Sequence, residues 1–137
     1  MRPTADGFGV LASIFLFWDQ YSCAGHGFSK APRRSMDRYG ICGKMLAKEG
    51  QRDALLEILI EASRTPMTGC VVYIVCKSPT EANAIWVMEV WQTEADHEAS
   101  FKLDSVKALI TKALPVMAGA TESIRMVPVG GKGLGPA

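Results

Sequence analysis

The sequence has little net charge and no long hydrophobic segment. Its 15 Lys and Arg residues nearly balance 14 Asp and Glu residues, which gives a net charge of +1. Basic residues are scattered, apart from a short cluster at residues 30–34. Since nucleic-acid binding requires a concentrated basic surface, we expect no nucleic-acid partner. The apolar run at residues 10–18 is far shorter than a bilayer requires, so we expect no membrane-spanning helix.

Cysteine and histidine are also scarce. The chain has 4 cysteines and 2 histidines, without a CxxC pair or the spacing of zinc ligands, so we expect no metal site. Strand alternation places Cys70 and Cys76 on one face of one strand, too far apart for a disulfide between them. We interpret the cysteines as reduced, which is typical of a cytoplasmic protein.

The first 35 residues differ in composition from the rest. Gly and Pro interrupt them, and a regular pattern of strands and helices begins just after Met36. We interpret residues 1–35 as an N-terminal extension that is either disordered or the product of a mis-assigned start. A secretory signal and an ordered extra element are the alternatives that the sequence leaves open. Residues 36–130 form the predicted domain, and the Gly-rich residues 131–137 form a tail.

Strand and helix signals alternate through the predicted domain. Apolar residues recur at helical spacing over residues 51–64, and Pro66 ends that helix. Thr93, with acidic residues in the turn after it, predicts the N-cap of a second helical region that is interrupted near residue 104 and continues toward Met117. Strands are predicted at residues 39–48, 70–77, 84–92 and 123–129. The order βαββαβ is that of a ferredoxin-like, split βαβ α+β fold with a four-stranded antiparallel sheet.

The third strand is apolar on both faces. Alternation places Glu89 and Trp91 on one face with Ile85 and Val87, and places Met88 on the other face. We expect helices to cover the first face and a second sheet, from another subunit, to cover the second face. A carboxyl group under helices must be paired or take part in chemistry, so Glu89 marks a candidate site.

Four segments resemble the antibiotic biosynthesis monooxygenase family. They are GKMLAKEGQR at residues 43–52, TGC at 68–70, IWVMEVW at 85–91 and TEA at 93–95. The resemblance covers residues 39–129. It implies a homodimer in which two sheets form a dimeric α+β barrel, with a pocket for a small molecule in each subunit. It also implies oxidation of quinol-, phenol- or anthrone-like aromatic substrates by dioxygen without a cofactor.

The chain departs from the family pattern at several positions. Many quinol-oxidising members have two histidines in the helical region, where this chain has Ser100 and Ser105. The residues that the haem-degrading branch requires are also missing, since Gly43 and Ile110 stand at two of its positions. Only Trp91 matches that set, so haem degradation is disfavoured.

Four side chains are the candidate site residues. Because its unperturbed pKa is near neutral, His97 is the candidate catalytic base, and its alternative is exposure on the helix surface. Trp91, Glu89 and Tyr73 are the candidate substrate-binding residues: a stacking wall and two polar groups. Each of the three has a purely structural alternative, as a core side chain or as half of an ion pair. For the whole protein, the alternatives to an oxygenase are a non-enzymatic dimer that binds a small molecule and an isomerase or lyase on the same fold.

Overall fold

The structure of the protein, a computed structural model, describes residues 37–134. The extension predicted for residues 1–35 and the last part of the predicted tail fall outside the described residues. Within residues 37–134, no helix is long and apolar enough to cross a membrane.

Strands and helices follow the predicted order. The sheet is antiparallel throughout, and its strands lie side by side in the order β2-β3-β1-β4. This arrangement confirms the ferredoxin-like α+β fold. The strands are β1 (Tyr39–Ala47), β2 (Cys70–Lys77), β3 (Ala84–Trp91) and β4 (Met117–Met126), and the helices are α1 (Arg52–Arg64), α2 (Glu94–Ser100) and α3 (Asp104–Ala113).

Helix α1 is held by its apolar stripe. Leu55 and Leu59 are one turn apart, so they lie on the same side of the helix, and both are buried. They pack against Ile85 and Val87 of β3 in the main core cluster. The helix ends at Arg64, and the next residue, Thr65, has the extended backbone that a following proline imposes.

The start of the last strand differs from the prediction. The sequence places helix up to Met117 and the strand only from residue 123, whereas β4 already begins at Met117 after one turn of 3-10 helix at Leu114–Val116. Residues 118–120 are Ala, Gly and Ala, which have low strand propensity. They are extended because they pair with the second half of β1, so tertiary pairing overrides local preference.

The predicted placement of Cys70 and Cys76 on one face is wrong. Cys70 lies opposite Trp91, but Cys76 lies opposite Trp86, which is on the other face of β3. The register shifts between Cys70 and Val72, because a β-bulge inserts one extra residue into β2. An insertion of one residue moves every later side chain to the opposite face.

The two faces of the sheet have different surroundings. One face carries the main core and a second buried cluster of Tyr39, Ile41 and Trp91. The opposite face, which we call the open face, carries Lys44, whose Nζ lies 2.6 Å from Glu81 and 3.1 Å from Glu122. Apolar side chains around it are 37–53% exposed: Ile74, Met88, Ile124 and Met126.

Candidate functional site

The second core cluster contains the candidate site. Strand β3 places Glu89 and Trp91 on the helix-covered face, as the alternation predicts. The neighbouring strands supply the adjacent side chains, since Tyr73 of β2 lies opposite Glu89 and Tyr39 of β1 lies opposite Trp91. Three strands therefore converge on one small volume beneath α2.

Helix α2 brings His97 into this volume. The Thr93 hydroxyl accepts a hydrogen bond from the Asp96 backbone amide at 3.1 Å, which confirms the predicted N-cap. His97 comes one turn after the cap and points inward, with only 7% of its surface exposed. The surface position that was the alternative for His97 is therefore not the one it occupies.

Aromatic rings enclose the imidazole. The centroid of the His97 ring lies 5.1 Å from that of Tyr39, 5.4 Å from Trp91 and 5.0 Å from Phe101, at tilted or edge-on angles. Burial and, to a smaller extent, the nearby positive charge of Arg125 lower the pKa of His97 to about 4. At neutral pH the imidazole is uncharged.

Glu89 is buried beside it. The indole Nε1 of Trp91 donates a hydrogen bond of 2.8 Å to Oε2 of Glu89, and His97 Nε2 lies 3.8 Å from the same oxygen. Burial raises the pKa of the Glu89 carboxyl to about 7, while the hydrogen bond from Trp91 acts in the opposite direction. The carboxyl is therefore partly protonated at neutral pH.

The charge of Glu89 changes the pKa values of two side chains on β2. Burial raises the pKa of the Tyr73 hydroxyl, and the Glu89 carboxylate raises it further. The pKa of the Cys70 thiol rises to about 11 for the same two reasons, in the same order. Both groups keep their protons at neutral pH, so Glu89 is the one acid in this group that titrates near neutrality.

A cavity opens beside Cys70 and Tyr73, at the β2 edge of the sheet and the end of α1. Its volume is about 220 Å³. Glu89, Trp91 and His97 do not line it, but its wall residues Met67 and Cys70 pack against the cluster that contains Trp91. The lining residues are Ser63, Thr65, Met67, Cys70, Val71 and Tyr73.

Arg125 and Tyr39 join the site without having been predicted from the sequence. The guanidinium of Arg125 lies 5.7 Å from the centre of the Tyr39 ring and 3.0 Å from a carboxylate oxygen of Glu94 at the start of α2. Arg125 could be placed near the site only from the register of β4 against β1, in which Arg125 lies opposite Ile41. That register follows from bulges that the sequence does not reveal.

The serines at the expected histidine positions have other surroundings. Ser100 is buried, and its hydroxyl donates a hydrogen bond of 2.7 Å to the backbone carbonyl of His97. Ser105 is exposed in the first turn of α3. Within residues 37–134, no three His, Cys, Asp or Glu side chains are grouped as ligands for a metal ion.

Comparison with known proteins identifies the family. The family model for antibiotic biosynthesis monooxygenase matches residues 39–112. A candidate antibiotic biosynthesis monooxygenase from Chloroflexus aurantiacus J-10-fl has a solved structure that is 45% identical, with a TM-score of 0.68, and the match covers 72% of this chain and 99% of that chain. No curated protein matches the chain.

More distant structures share the fold. A candidate antibiotic biosynthesis monooxygenase from Caulobacter crescentus CB15 is 20% identical over 70% of this chain and 93% of that chain, with a TM-score of 0.62. A conserved protein from Bacteroides thetaiotaomicron VPI-5482, described as a possible oxidoreductase, is 17% identical over 66% of this chain and 99% of that chain, with a TM-score of 0.58. The family model and the Chloroflexus structure together show that the chain belongs to the antibiotic biosynthesis monooxygenase family.

Proposed function

We propose that the protein is a cofactor-independent monooxygenase that oxidises a small quinol-, phenol- or anthrone-like substrate with dioxygen. The observation that carries this proposal is the buried group of Glu89, Trp91 and His97 under α2. It places two proton-accepting groups with strongly shifted pKa values in a largely apolar enclosure, which is typical of a site for acid–base chemistry. The name of the family supports the oxygenase reaction.

The substrate would enter through the cavity beside Cys70 and Tyr73. At about 220 Å³ this cavity is smaller than the usual pocket for a drug-sized ligand, roughly 300–1,000 Å³, so it suits a compact aromatic molecule. Trp91 lies directly behind the cavity wall, in the cluster against which the wall residues Met67 and Cys70 pack, so a ring that displaces these side chains would meet the indole. Tyr73, on that wall, provides a hydroxyl that can hydrogen-bond to a substrate oxygen.

Removal of a substrate proton starts the reaction. We assign this role to His97, whose imidazole is uncharged at neutral pH and is therefore in the form that can accept a proton. The electron-rich substrate anion can then pass an electron to dioxygen. A dry enclosure strengthens the electrostatic interactions and keeps water from the reactive oxygen species.

Oxygen uptake tests this function. Metal-stripped protein should consume dioxygen when supplied with members of a panel of hydroquinones, phenols and anthrones. His97→Gln, which keeps most of the volume of this buried side chain, should lower the rate, whereas Glu98→Gln, on the exposed side of the same helix, should leave it unchanged. An absence of uptake with every member of the panel contradicts the proposal.

The same measurements separate the alternatives. A reaction that changes the substrate equally well without dioxygen identifies an isomerase or lyase. Tight binding of panel members without any reaction identifies a binding protein. Each result assigns the same buried site to a different class of protein: an isomerase or lyase in the first case and a binding protein in the second.

We also propose that a second copy of the chain covers the open face and forms the homodimer that the sequence resemblance implies. Met88 and Ile124 lie on that face, 37% and 53% exposed, with further apolar residues beside them. Apolar area of this kind, spread over one face of a sheet, is costly to leave in water.

Sedimentation equilibrium tests the homodimer. The unaltered protein should sediment as a dimer, and Met88→Lys should shift it toward the monomer. Ile60→Lys is the matched control, because Ile60 is similarly exposed, at 39%, but lies on α1 rather than on the open face. A monomeric unaltered protein contradicts the proposal.

A cytoplasmic location is part of the same proposal. It is supported by Cys42, Cys70 and Cys76, which are free thiols. Fractionation of the native host, followed by immunodetection, checks it.

A further inference from the structure

The carboxyl group of Glu89 has one occupied oxygen and one open oxygen. Trp91 Nε1 and His97 Nε2 both approach Oε2, at 2.8 Å and 3.8 Å. Within residues 37–134, no donor forms a hydrogen bond with Oε1. The indole therefore anchors one oxygen of the carboxyl and leaves the second oxygen available to another molecule.

His97 and Glu89 are about equally buried, but the surroundings of the imidazole restrict a substrate's approach to it. Rings of Tyr39, Trp91 and Phe101 surround its imidazole, and Nε2 faces Glu89 across 3.8 Å. A substrate atom cannot fit between two atoms at that separation, because a proton acceptor must itself lie about 2.6–3.2 Å from the atom that loses the proton. A substrate therefore cannot reach Nε2 from the side of Glu89.

Glu89 is also on the side of the cavity. Its cross-strand partner is Tyr73, which lines the cavity, and cross-strand neighbours have Cβ atoms about 4.5–5.5 Å apart. Cys70, a second wall residue, responds to the charge of Glu89 as Tyr73 does. Of the two buried groups, Glu89 is therefore the one that lies directly across from a wall residue of the cavity.

We infer that the Glu89 carboxylate is the catalytic base that takes the substrate proton, and that His97 is a positioning residue that packs behind it. This assignment rests on the oxygenase function proposed above and replaces His97 as the base. Trp91 holds the carboxyl in place, and Tyr73 lies across from it. Tyr39 of β1, Cys70 of β2 and Arg125 of β4 are the other ionisable groups that interact with the pair, and Glu94 and Glu98 of α2 act on Tyr39.

The balance of the reaction can be written for an anthrone methylene. One C–H bond breaks, its electron pair stays on carbon, and the proton forms an O–H bond on Glu89. The carbanion gives one electron to dioxygen, and the substrate radical and superoxide join through a C–O bond. Glu89 returns its proton to the peroxide. It then takes the second C–H proton as the O–O bond breaks, and passes it to the leaving hydroxide, so that CH₂ and O₂ become C=O and H₂O.

The pKa values of Glu89 and His97 agree with Glu89 as the base. A carboxyl with a pKa of about 7 is suited to exchange protons near neutral pH, whereas an imidazole with a pKa of about 4 is a weak base. The rate of proton removal should therefore rise with pH through about 7 in the unaltered protein.

Deuterium exchange tests the assignment without dioxygen. Anthrone is incubated anaerobically with the full-length protein in D₂O, and loss of its methylene signal is followed by proton NMR. The unaltered protein should accelerate exchange, and Glu89→Gln should slow it by about 100-fold or more. His97→Gln should slow it by less than about 10-fold and keep a rise near neutral pH. Glu98→Gln is the control, and Glu89→Asp, which keeps the acid, should restore part of the rate if Glu89→Gln folds poorly.

Each outcome decides between the two proposals. Exchange that depends on Glu89 without any oxygen uptake supports this assignment and overturns the oxygenase. Oxygen uptake and exchange that survive Glu89→Gln but are lost in His97→Gln overturn the assignment and leave the oxygenase standing. Absence of both exchange and uptake in the folded protein overturns both.

Discussion

The Glu89 carboxyl and the His97 imidazole lie 3.8 Å apart, from Oε2 to Nε2, but they do not form an ion pair. Burial disfavours charge on both groups, so the pKa of the acid rises to about 7 and that of the base falls to about 4. Glu89 is largely protonated at the pH where His97 begins to accept a proton. The form in which both groups are charged is therefore disfavoured.

These opposite pKa shifts of Glu89 and His97 predict how the free energy of unfolding depends on pH. Glu89 has a raised pKa in the folded protein, so its contribution is complete below its unfolded value of 4.5 and is lost as pH rises toward 7. His97 has a lowered pKa, so its contribution is complete above 6.5 and is lost as pH falls toward 4. Between about 4.5 and 6.5 the two contributions have opposite slopes and cancel.

Removing one partner should expose the slope of the other. In His97→Gln, the free energy of unfolding should fall by about 1 kcal/mol per pH unit as pH rises through this interval. In Glu89→Gln, it should fall by a similar amount per unit as pH decreases. Urea denaturation at a series of pH values measures both, with Glu98→Gln as a control that should follow the unaltered protein. Parallel curves for all variants contradict the two shifted pKa values.

The indole of Trp91 should set the pH at which Glu89 ionises. Its hydrogen bond lowers the pKa of the carboxyl, so Trp91→Phe should move the rise in anthrone exchange to higher pH. The loss of a donor to a buried acceptor should also cost about 1–3 kcal/mol of stability. Trp86→Phe is the matched control, since Trp86 lies on the opposite face of the same strand. An unchanged pH profile in Trp91→Phe means that the hydrogen bond does not lower the pKa of the catalytic carboxyl.

The sequence predicts the fold well because local signals and packing agree. The leucines of α1 recur at helical spacing, and the alternation in β3 places Glu89 and Trp91 on the same side. Local signals and packing disagree where a strand is built from residues with low strand propensity. Residues 118–120 are extended only because β1 pairs with them, and no local pattern reports that pairing.

The candidate site could be predicted only in part. Glu89, Tyr73, Trp91 and His97 do lie close together, because the order of the elements brings β2, β3 and α2 to one place. The burial of His97 could not be predicted, because the residues on either side of it, Asp96 and Glu98, are acidic and indicate a solvent-exposed part of the helix. Arg125 could not be found either, because its position depends on bulges in β4, about which the sequence carries no signal.

Arg125 should influence His97 through its charge. Arg125→Gln removes a positive charge that lowers the pKa of the imidazole, so this pKa should rise from about 4 but remain below 6.5, because burial is the larger cause. Imidazole proton shifts in an NMR titration measure it. Lys112→Gln removes an ion pair of similar length, 2.9 Å to Glu61, between α1 and α3, and should leave the titration of His97 unchanged. An equal effect of both variants indicates a response to net charge rather than to Arg125 itself.

The turn at Gly69 should be essential for placing α2. Its φ of +84° is disfavoured for other residues, and a Cβ there would lie 2.5 Å from Cγ of Asp96. Asp96 is the residue whose amide and carboxylate both bond to the Thr93 cap, so displacing it disturbs the turn that precedes His97.

Gly50 provides the matched comparison. Its φ of +72° carries a similar backbone penalty, but a Cβ at this position would meet no atom within 4 Å. Gly50→Ala should therefore cost about 1–2 kcal/mol from backbone strain alone, and Gly69→Ala should cost clearly more. Adding Asp96→Ala should recover part of the extra loss in the Gly69 variant, because it removes the side chain that clashes. Urea denaturation measures all four proteins, and equal losses at the two glycines mean that contact with Asp96 does not hold the start of α2.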